Sequence, residues 1–219
     1  MKIDDEILKF LIKEEGFPVE DGMAKTYIPK KNGKVIGNSG LTFGVGIDIG
    51  QMNTKEFLKL PLDKKDQELL LPYVGKTGEA ALEVERQLGH YKLPTAVAME
   101  ISKQHINKSK DKLRKAFPEW DDKPFQQQAV SLSLLHNFGE RSLGYGTMKS
   151  IMGDDLKTGI ARLRNADEWK NPELFPRRNR EADLLQSLVN ERESRKILAG
   201  SDTEVGKGYQ APIKKRPLI

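Results

Sequence analysis

The stretch Asn38-Ser39-Gly40-Leu41-Thr42-Phe43-Gly44-Val45-Gly46-Ile47-Asp48-Ile49-Gly50-Gln51 decides how the chain is read. Leu41, Phe43, Val45, Ile47 and Ile49 alternate with Thr42, Gly44, Gly46 and Asp48. Alternation over nine residues predicts a strand with one apolar, buried face. The other face carries no bulk, only two glycines between a hydroxyl and a carboxylate. Glycine inside a strand costs stability and marks a bend or the close approach of another molecule. That face reads as a floor against which a ligand lies, with Thr42 and Asp48 at its ends.

The 219 residues suffice for one large domain or two lobes, and 37% hydrophobic with 32% charged residues suits a soluble chain with a real core. No run of about 18 apolar residues is present, so no membrane span is expected. Met1-Lys2-Ile3-Asp4-Asp5-Glu6 places acids where a signal peptide needs a basic start. The chain is therefore expected to be made in the cytoplasm and to need outside help for export. There are no cysteines, which excludes disulfides, Cys-zinc sites and thiol nucleophiles. His90, His105 and His136 lie far apart and form no His-x-x-x-His pair, which argues against a zinc hydrolase. The net charge of +5 favours solubility and attraction to polyanions: nucleic acid, teichoic acid, lipopolysaccharide or an anionic wall.

Working outward from the central stretch, residues 4–15 read as a helix with Ile7, Leu8, Leu11 and Ile12 on one stripe. Gly16 is placed to end it, which puts Glu15 on its last turn. Residues 25–29 are a candidate strand, and Asn32-Gly33 is a strong hairpin signal returning through Val35-Ile36. A small antiparallel sheet over residues 25–49 follows. Beyond residue 53 the periodicity turns helical. Helices are predicted from residue 54, over 63–73, 78–88, 94–117, 125–138, 154–166 and 177–198, with 125–138 the most apolar and central. Gly144-Tyr145-Gly146 reads as a loop, and the last twenty residues as a mobile tail. Strands grouped before helices argue α+β.

If the strand packs beside the end of the first helix, Glu15, Thr42 and Asp48 line one cleft. Two carboxylates and a hydroxyl suit glycoside hydrolysis, in which one acid protonates the leaving oxygen and the other orients a water or attacks. Six residues of straight strand span about 20 Å. Thr42 and Asp48 can therefore serve one water only if the chain bends at Gly44 and Gly46. Each residue also has an ordinary reading. Glu14 and Glu15 are solvated acids at a helix end, Thr42 a strand former and Asp48 a turn former. His136 is a packed-core or cleft-edge residue, Trp120 and Trp169 are core residues, and Lys214-Lys215-Arg216 a solvated tail.

Lys13-Glu14-Glu15-Gly16 followed by Thr42-Phe43-Gly44-Val45-Gly46 resembles the phage-type lysozymes, most closely the pesticin-like branch. In that branch the aspartate follows the threonine by six residues, as Asp48 follows Thr42. In the phage enzymes the aspartate precedes the threonine. Asp21 is the alternative on that pattern, but its spacing does not fit, and Asp48 is preferred. Leu135-His136-Asn137-Phe138-Gly139 is similar to the helix end lining the family's cleft. Phe175-Pro176-Arg177-Arg178 is similar to its C-terminal arginine helix, where Arg178 matches the arginine that pairs with the catalytic glutamate.

The resemblance implies a lysozyme-like α+β fold, with a small antiparallel sheet lobe (about 17–53) and a larger helical lobe (about 54–199, with the N-terminal helix). A flexible basic tail (200–219) follows the catalytic domain (1–199). The implied activity is hydrolysis of the β-1,4 bond between N-acetylmuramic acid and N-acetylglucosamine. Glu15 is the implied general acid. Asp48 and Thr42 hold the attacking water, with inversion preferred. Gly44, Gly46 and Asn137 contact substrate, and Arg178 supports Glu15. No metal or organic cofactor is needed. The implied setting is a phage endolysin or an antibacterial effector, reaching the cell wall or periplasm through a holin or a secretion system. The chain is expected to be monomeric, with peptidoglycan and anionic envelope polymers as partners, and a cognate immunity protein if it is an effector. Two other classes remain. A lytic transglycosylase would cut the same bond with one acid, which a second acid at Asp48 argues against. A nucleic-acid-binding protein would concentrate its basic residues on one face, whereas the lysines here are dispersed.

Overall fold

The structure is a computed structural model that describes residues 3–15, 19–88, 91–169 and 172–204. The expected helix-ending Gly16 and the tail from residue 205 onward lie outside the described residues. Helix α1 spans Ile3–Glu15, so Glu15 closes its last turn. Strands β1 (Val19–Glu20), β2 (Met23–Lys25), β3 (Lys30–Lys31), β4 (Lys34–Val35), β5 (Thr42–Phe43) and β6 (Ile47–Asp48) follow. Then come α2 (Thr54–Phe57), α3 (Lys64–Leu70), α4 (Glu79–Leu88), β7 (Lys92–Pro94), α5 (Thr95–Ala116) and α6 (Phe125–Phe138). Helices α7 (Gly146–Met152), α8 (Leu156–Arg164) and α9 (Phe175–Glu204) complete the described chain. This is an α+β, lysozyme-like architecture, with a small antiparallel lobe beside a larger helical one. No described helix is long and apolar enough to cross a membrane.

The lobe of strands differs from the expected sheet. It consists of three short antiparallel ladders: β1-β2-β7, β3-β4 and β5-β6. Strand β7 arrives from residues 92–94 to pair with β2, a contact too distant in sequence to be read locally. The main correction concerns the nine-residue strand. Residues 41–49 form a tight hairpin, because Gly44 and Gly46 adopt φ of +60° and +73°, the left-handed region that ends a strand. Thr42 pairs directly with Asp48, and Phe43 with Ile47. The alternation survives because a hairpin that buries both strands keeps the same residues inside. Leu41, Phe43, Val45, Ile47 and Ile49 are all at most 2% exposed. Asn32-Gly33 makes the expected β3–β4 turn, with both residues at positive φ.

The helices follow the predicted periodicity closely. Asn53 caps α2 through a reciprocal pair with Glu56. Helix α6 is buried from Gln127 to Leu135, as expected for a central helix. Its buried polar groups are paired, as burial demands. Gln127 donates to the Ile151 carbonyl at 2.7 Å, and the Ser131 hydroxyl accepts from Trp120 Nε1 at 2.8 Å. Two differences stand out. Residues 146–152 form α7, where a loop beginning at Gly144 masks the short apolar set Met148, Ile151 and Met152. Helix α9 continues to Glu204, past the expected end at 198 and the expected domain boundary at 199.

Helix α5 lies against the hairpin turn. A Cβ on Gly44 would stand 2.7 Å from Ser102 Oγ and 3.4 Å from the Ala98 carbonyl. Strain at positive φ costs about 1–3 kcal/mol. Gly44→Ala is therefore expected to lower the melting temperature by roughly 5 °C, at about 2–4 °C per kcal/mol for a chain of this size. Thermal unfolding followed by circular dichroism measures this, and an unchanged melting point would show that the turn tolerates a side chain.

Candidate active site

Three elements meet where the sequence placed its candidates: the end of α1, the β5–β6 turn and the end of α6. Glu15 projects from the last turn of α1, its side chain 15% exposed. Its Oε1 lies 2.6 Å from Arg177 Nη1 and 3.6 Å from His136 Nε2. Its Oε2 faces the hairpin: a Cβ on Gly46 would be 3.7 Å from that oxygen and 3.0 Å from His136 Nε2. Only glycine lets the turn come this near the carboxylate. A cavity of about 400 Å³ opens here, with Gly46, Asp48, Gln51, Glu56, His105 and His136 in its lining.

Asp48 is held firmly. Its Oδ2 accepts from Gly40 N–H and from Gln51 Nε2, and its Oδ1 accepts from Gly50 N–H, each at 2.9 Å. Gly40 and Gly50 sit back to back, since a Cβ on Gly40 would lie 2.6 Å from the Gly50 Cα. An ionised carboxylate has about four acceptor positions. Three are used here, which leaves one for a water. The Thr42 hydroxyl donates to the Gly40 carbonyl at 3.1 Å, leaving its oxygen to accept. Cross-strand Cα partners stand about 4.5–5.5 Å apart, so Thr42 and Asp48 are adjacent. Asp21, the alternative carboxylate, is exposed in the β1–β2 turn at φ +52°.

Two expectations are corrected, for Arg178 and for Gly44. Arg178 does not pair with Glu15. It is fully buried, ion-paired to Glu181 at 2.9 Å and packed over the rings of Phe138 and Trp169. Burial pushes its guanidinium down to about 10, partly offset by Glu181. The neighbouring Arg177 reaches Glu15 instead, because successive helical residues point about 100° apart and only one of them can face α1. Asn137 accepts a hydrogen bond from Arg178 Nη2 through its carboxamide oxygen at 3.3 Å. Gly44 offers no open floor, because Ser102 fills the space over it. Of the two glycines, Gly46 is the one that borders the cavity.

Four residues at or behind the site had no site role in the sequence. Glu181, fully buried, holds Arg177, Arg178 and the Ser133 hydroxyl together. Burial pushes its carboxyl up, and the two arginines oppose that. Its i+3 and i+4 spacing from the arginines was the available signal. The Glu14 side chain is also buried and takes a two-pronged contact from Arg180, at 2.7 and 2.9 Å. Tyr27 exchanges main-chain hydrogen bonds with Thr42 at 2.9 and 2.7 Å, so Tyr27, Thr42 and Asp48 form one cross-strand row. Burial first, then the charges of Glu15 and Asp48, push its phenol up. Nothing local announces that placement. His136, expected in the packed core or at the cleft edge, takes the edge position, bordering both Glu15 and the cavity. A larger cavity, about 490 Å³, lies beyond α6 among Phe138, Tyr145, Glu168 and Trp169 and contains none of the expected site residues.

The family model for pesticin, described as a bacterial toxin homologue of phage lysozyme, C-terminal part, matches residues 2–149. That span contains Glu15, Thr42, Asp48 and His136, while Arg177 and Glu181 lie beyond it. No curated protein matches the chain.

His105 stacks edge-on against His136, ring centroids 5.5 Å apart. Burial, then the neighbouring His136, push His105 down to about 4. The folded state thus binds fewer protons than the unfolded chain, whose histidines titrate near pH 6.5. Stability is full above that pH and declines as pH falls from about 6.5 towards 4. The loss should be on the order of 2 to 3 kcal/mol by pH 4.5. Urea unfolding at pH 7 and pH 4.5 measures it, and His105→Gln should reduce the difference, leaving the part due to His136.

Proposed function

The chain belongs to the pesticin family of phage-lysozyme homologues, which makes it a muramidase-type peptidoglycan hydrolase, and from that premise we propose that it cleaves the β-1,4 bond between N-acetylmuramic acid and N-acetylglucosamine. The observation that carries this reading is the meeting of Glu15 with the β5–β6 turn. One carboxyl projects from a helix end towards Gly46, and the strands flanking that glycine hold a second carboxylate opposite a hydroxyl.

In this proposal Glu15 protonates the glycosidic oxygen. Asp48 and Thr42 hold the water. Thr42 spends its proton on Gly40, and Asp48 retains one free acceptor position. Both therefore take hydrogen bonds from a water, which directs the water's lone pair away from them and towards the anomeric carbon, and Asp48 takes the proton the water loses as it attacks. A water delivered this way inverts that carbon. Arg177 supplies the ion pair to Glu15 that was first expected of Arg178. The second carboxylate favours hydrolysis over lytic transglycosylation, which needs one acid only.

The family description favours an antibacterial toxin over a phage endolysin. Its site of action would be the wall of a target bacterium, reached by delivery from outside the chain. The producing cell would then need an immunity protein to occupy the cleft. The net positive charge suits approach to an anionic envelope.

The test is digestion of purified peptidoglycan, followed by turbidity and by mass spectrometry of the fragments. Removing a general acid costs about 10²–10⁴-fold, so Glu15→Gln should lose at least about 100-fold, and Asp48→Asn a comparable amount. Reducing-end muramic acid is the expected product. Anhydromuramic product would establish a transglycosylase, and full activity of Glu15→Gln would overturn the assignment.

A further inference from the structure

His136 occupies a place that packing alone does not explain. Its ring stands at the junction of four elements. From α1, Glu15 Oε1 faces it at 3.6 Å. From α9, Arg177 reaches the same oxygen at 2.6 Å. From α5, His105 meets it edge-on. From the hairpin turn, the Val45 main chain hydrogen-bonds to it, and Gly46 lies so near that a Cβ would be 3.0 Å from Nε2. Asp48, Glu56 and Lys108 border the same cavity, and Lys112 lies further along α5. The contact between Arg177 and Glu15 is an ion pair without an aligned hydrogen bond, so Arg177 alone does not fix the carboxylate's orientation.

We propose that His136 is a positioning residue for the reaction, a neutral imidazole that braces the β5–β6 turn against Glu15 and must stay uncharged for Glu15 to serve as an acid. This rests on the muramidase reading and adds a residue to it. The physical reason is one of charge. Glu15 already faces one permanent cation, Arg177. An imidazolium 3.6 Å away would be a second, and each nearby positive charge opposes protonation of a carboxyl. The site avoids this by burying the ring. Burial lowers the proton affinity of His136 and Arg177 lowers it further, against the opposing pull of Glu15 and of the Val45 hydrogen bond. His105 is kept neutral by the same means. The consequence is an acid limb of activity that belongs to His136 and lies below the ordinary histidine range. Activity is full while the ring is neutral and falls as it takes up a proton.

Two measurements test this. The first is the pH dependence of kcat and of KM on peptidoglycan for the wild type, His136→Gln and His136→Phe, each checked for an intact fold by thermal melting. Glutamine keeps a neutral polar group and cannot titrate. His136→Gln should retain most of the turnover at neutral pH and hold it to lower pH than the wild type. His136→Phe fills the space without a polar contact and should lower kcat by about tenfold with little change in KM, as expected for a misplaced catalytic group. Superimposable acid limbs in wild type and His136→Gln, or equal turnover in His136→Phe and wild type, would overturn the proposal. The second measurement follows the His136 ring by NMR through a pH titration of the wild type and of Glu15→Gln. Loss of the Glu15 charge should move the His136 midpoint to lower pH, and an unmoved midpoint would refute the coupling. The titration needs no substrate. A chain without activity on peptidoglycan would therefore refute the muramidase reading, while the NMR result would still decide whether His136 and Glu15 act on one another.

Discussion

The fold's working geometry depends on a buried ladder of charge that joins the last turn of α1 to the first turns of α9. Glu14 takes Arg180 and Glu15 takes Arg177, while Arg177 and Arg178 converge on Glu181 beneath them. Glu181 and Arg178 are fully buried, where an unpaired charge would be severely penalised. Each buried member is tolerable only because its partner is present, while Arg180 at the outer end is half exposed. The Ser133 hydroxyl on α6 adds donors and acceptors at the centre, accepting from Arg177 and donating to Glu181. The ladder thereby also ties in the central helix. Breaking any one pair would leave a desolvated charge, so the ladder forms as a unit and pins Glu15 from behind.

With Glu15 pinned, the opposite wall must come to meet it, and that is the task of the β5–β6 hairpin. Gly44 lets the hairpin lie on α5 over Ser102 and Ala98, and Gly46 lets its tip approach His136 and Glu15. Gly40 and Gly50 close the base of the hairpin, and their N–H groups clamp Asp48. Four glycines thus do different jobs: one packs, one approaches, two bind a carboxylate. The bend that a single cleft required is present, and it is sharper than a kink, since Thr42 and Asp48 become cross-strand partners.

Much of this was legible in the chain. Helix α1 ending at Glu15, the apolar α6, the Asn32-Gly33 turn and the grouping of strands before helices all follow from local periodicity and capping chemistry. The Glu-Gly end and the Thr-x-Gly-x-Gly segment were enough to suggest the family, which the match over residues 2–149 then established. The misreadings share one physical cause. Alternation reports which side chains are buried, and it cannot tell a straight strand from a hairpin whose two arms are both buried. Likewise, two adjacent arginines in a helix are equivalent in sequence until the position of α1 selects one of them.

The sequence by itself therefore determined the candidates: two acids, a hydroxyl, small residues between them, and an arginine pair far along the chain. Local chemistry suffices for that, because propensity, spacing and charge are properties of neighbours. Only the tertiary structure decided their partners. It assigned Glu15 to Arg177, Arg178 to Glu181, and His136 to the space between Glu15 and the hairpin. Those pairings span α1, α6 and α9, and their energies arise from burial, which exists only once the elements have packed.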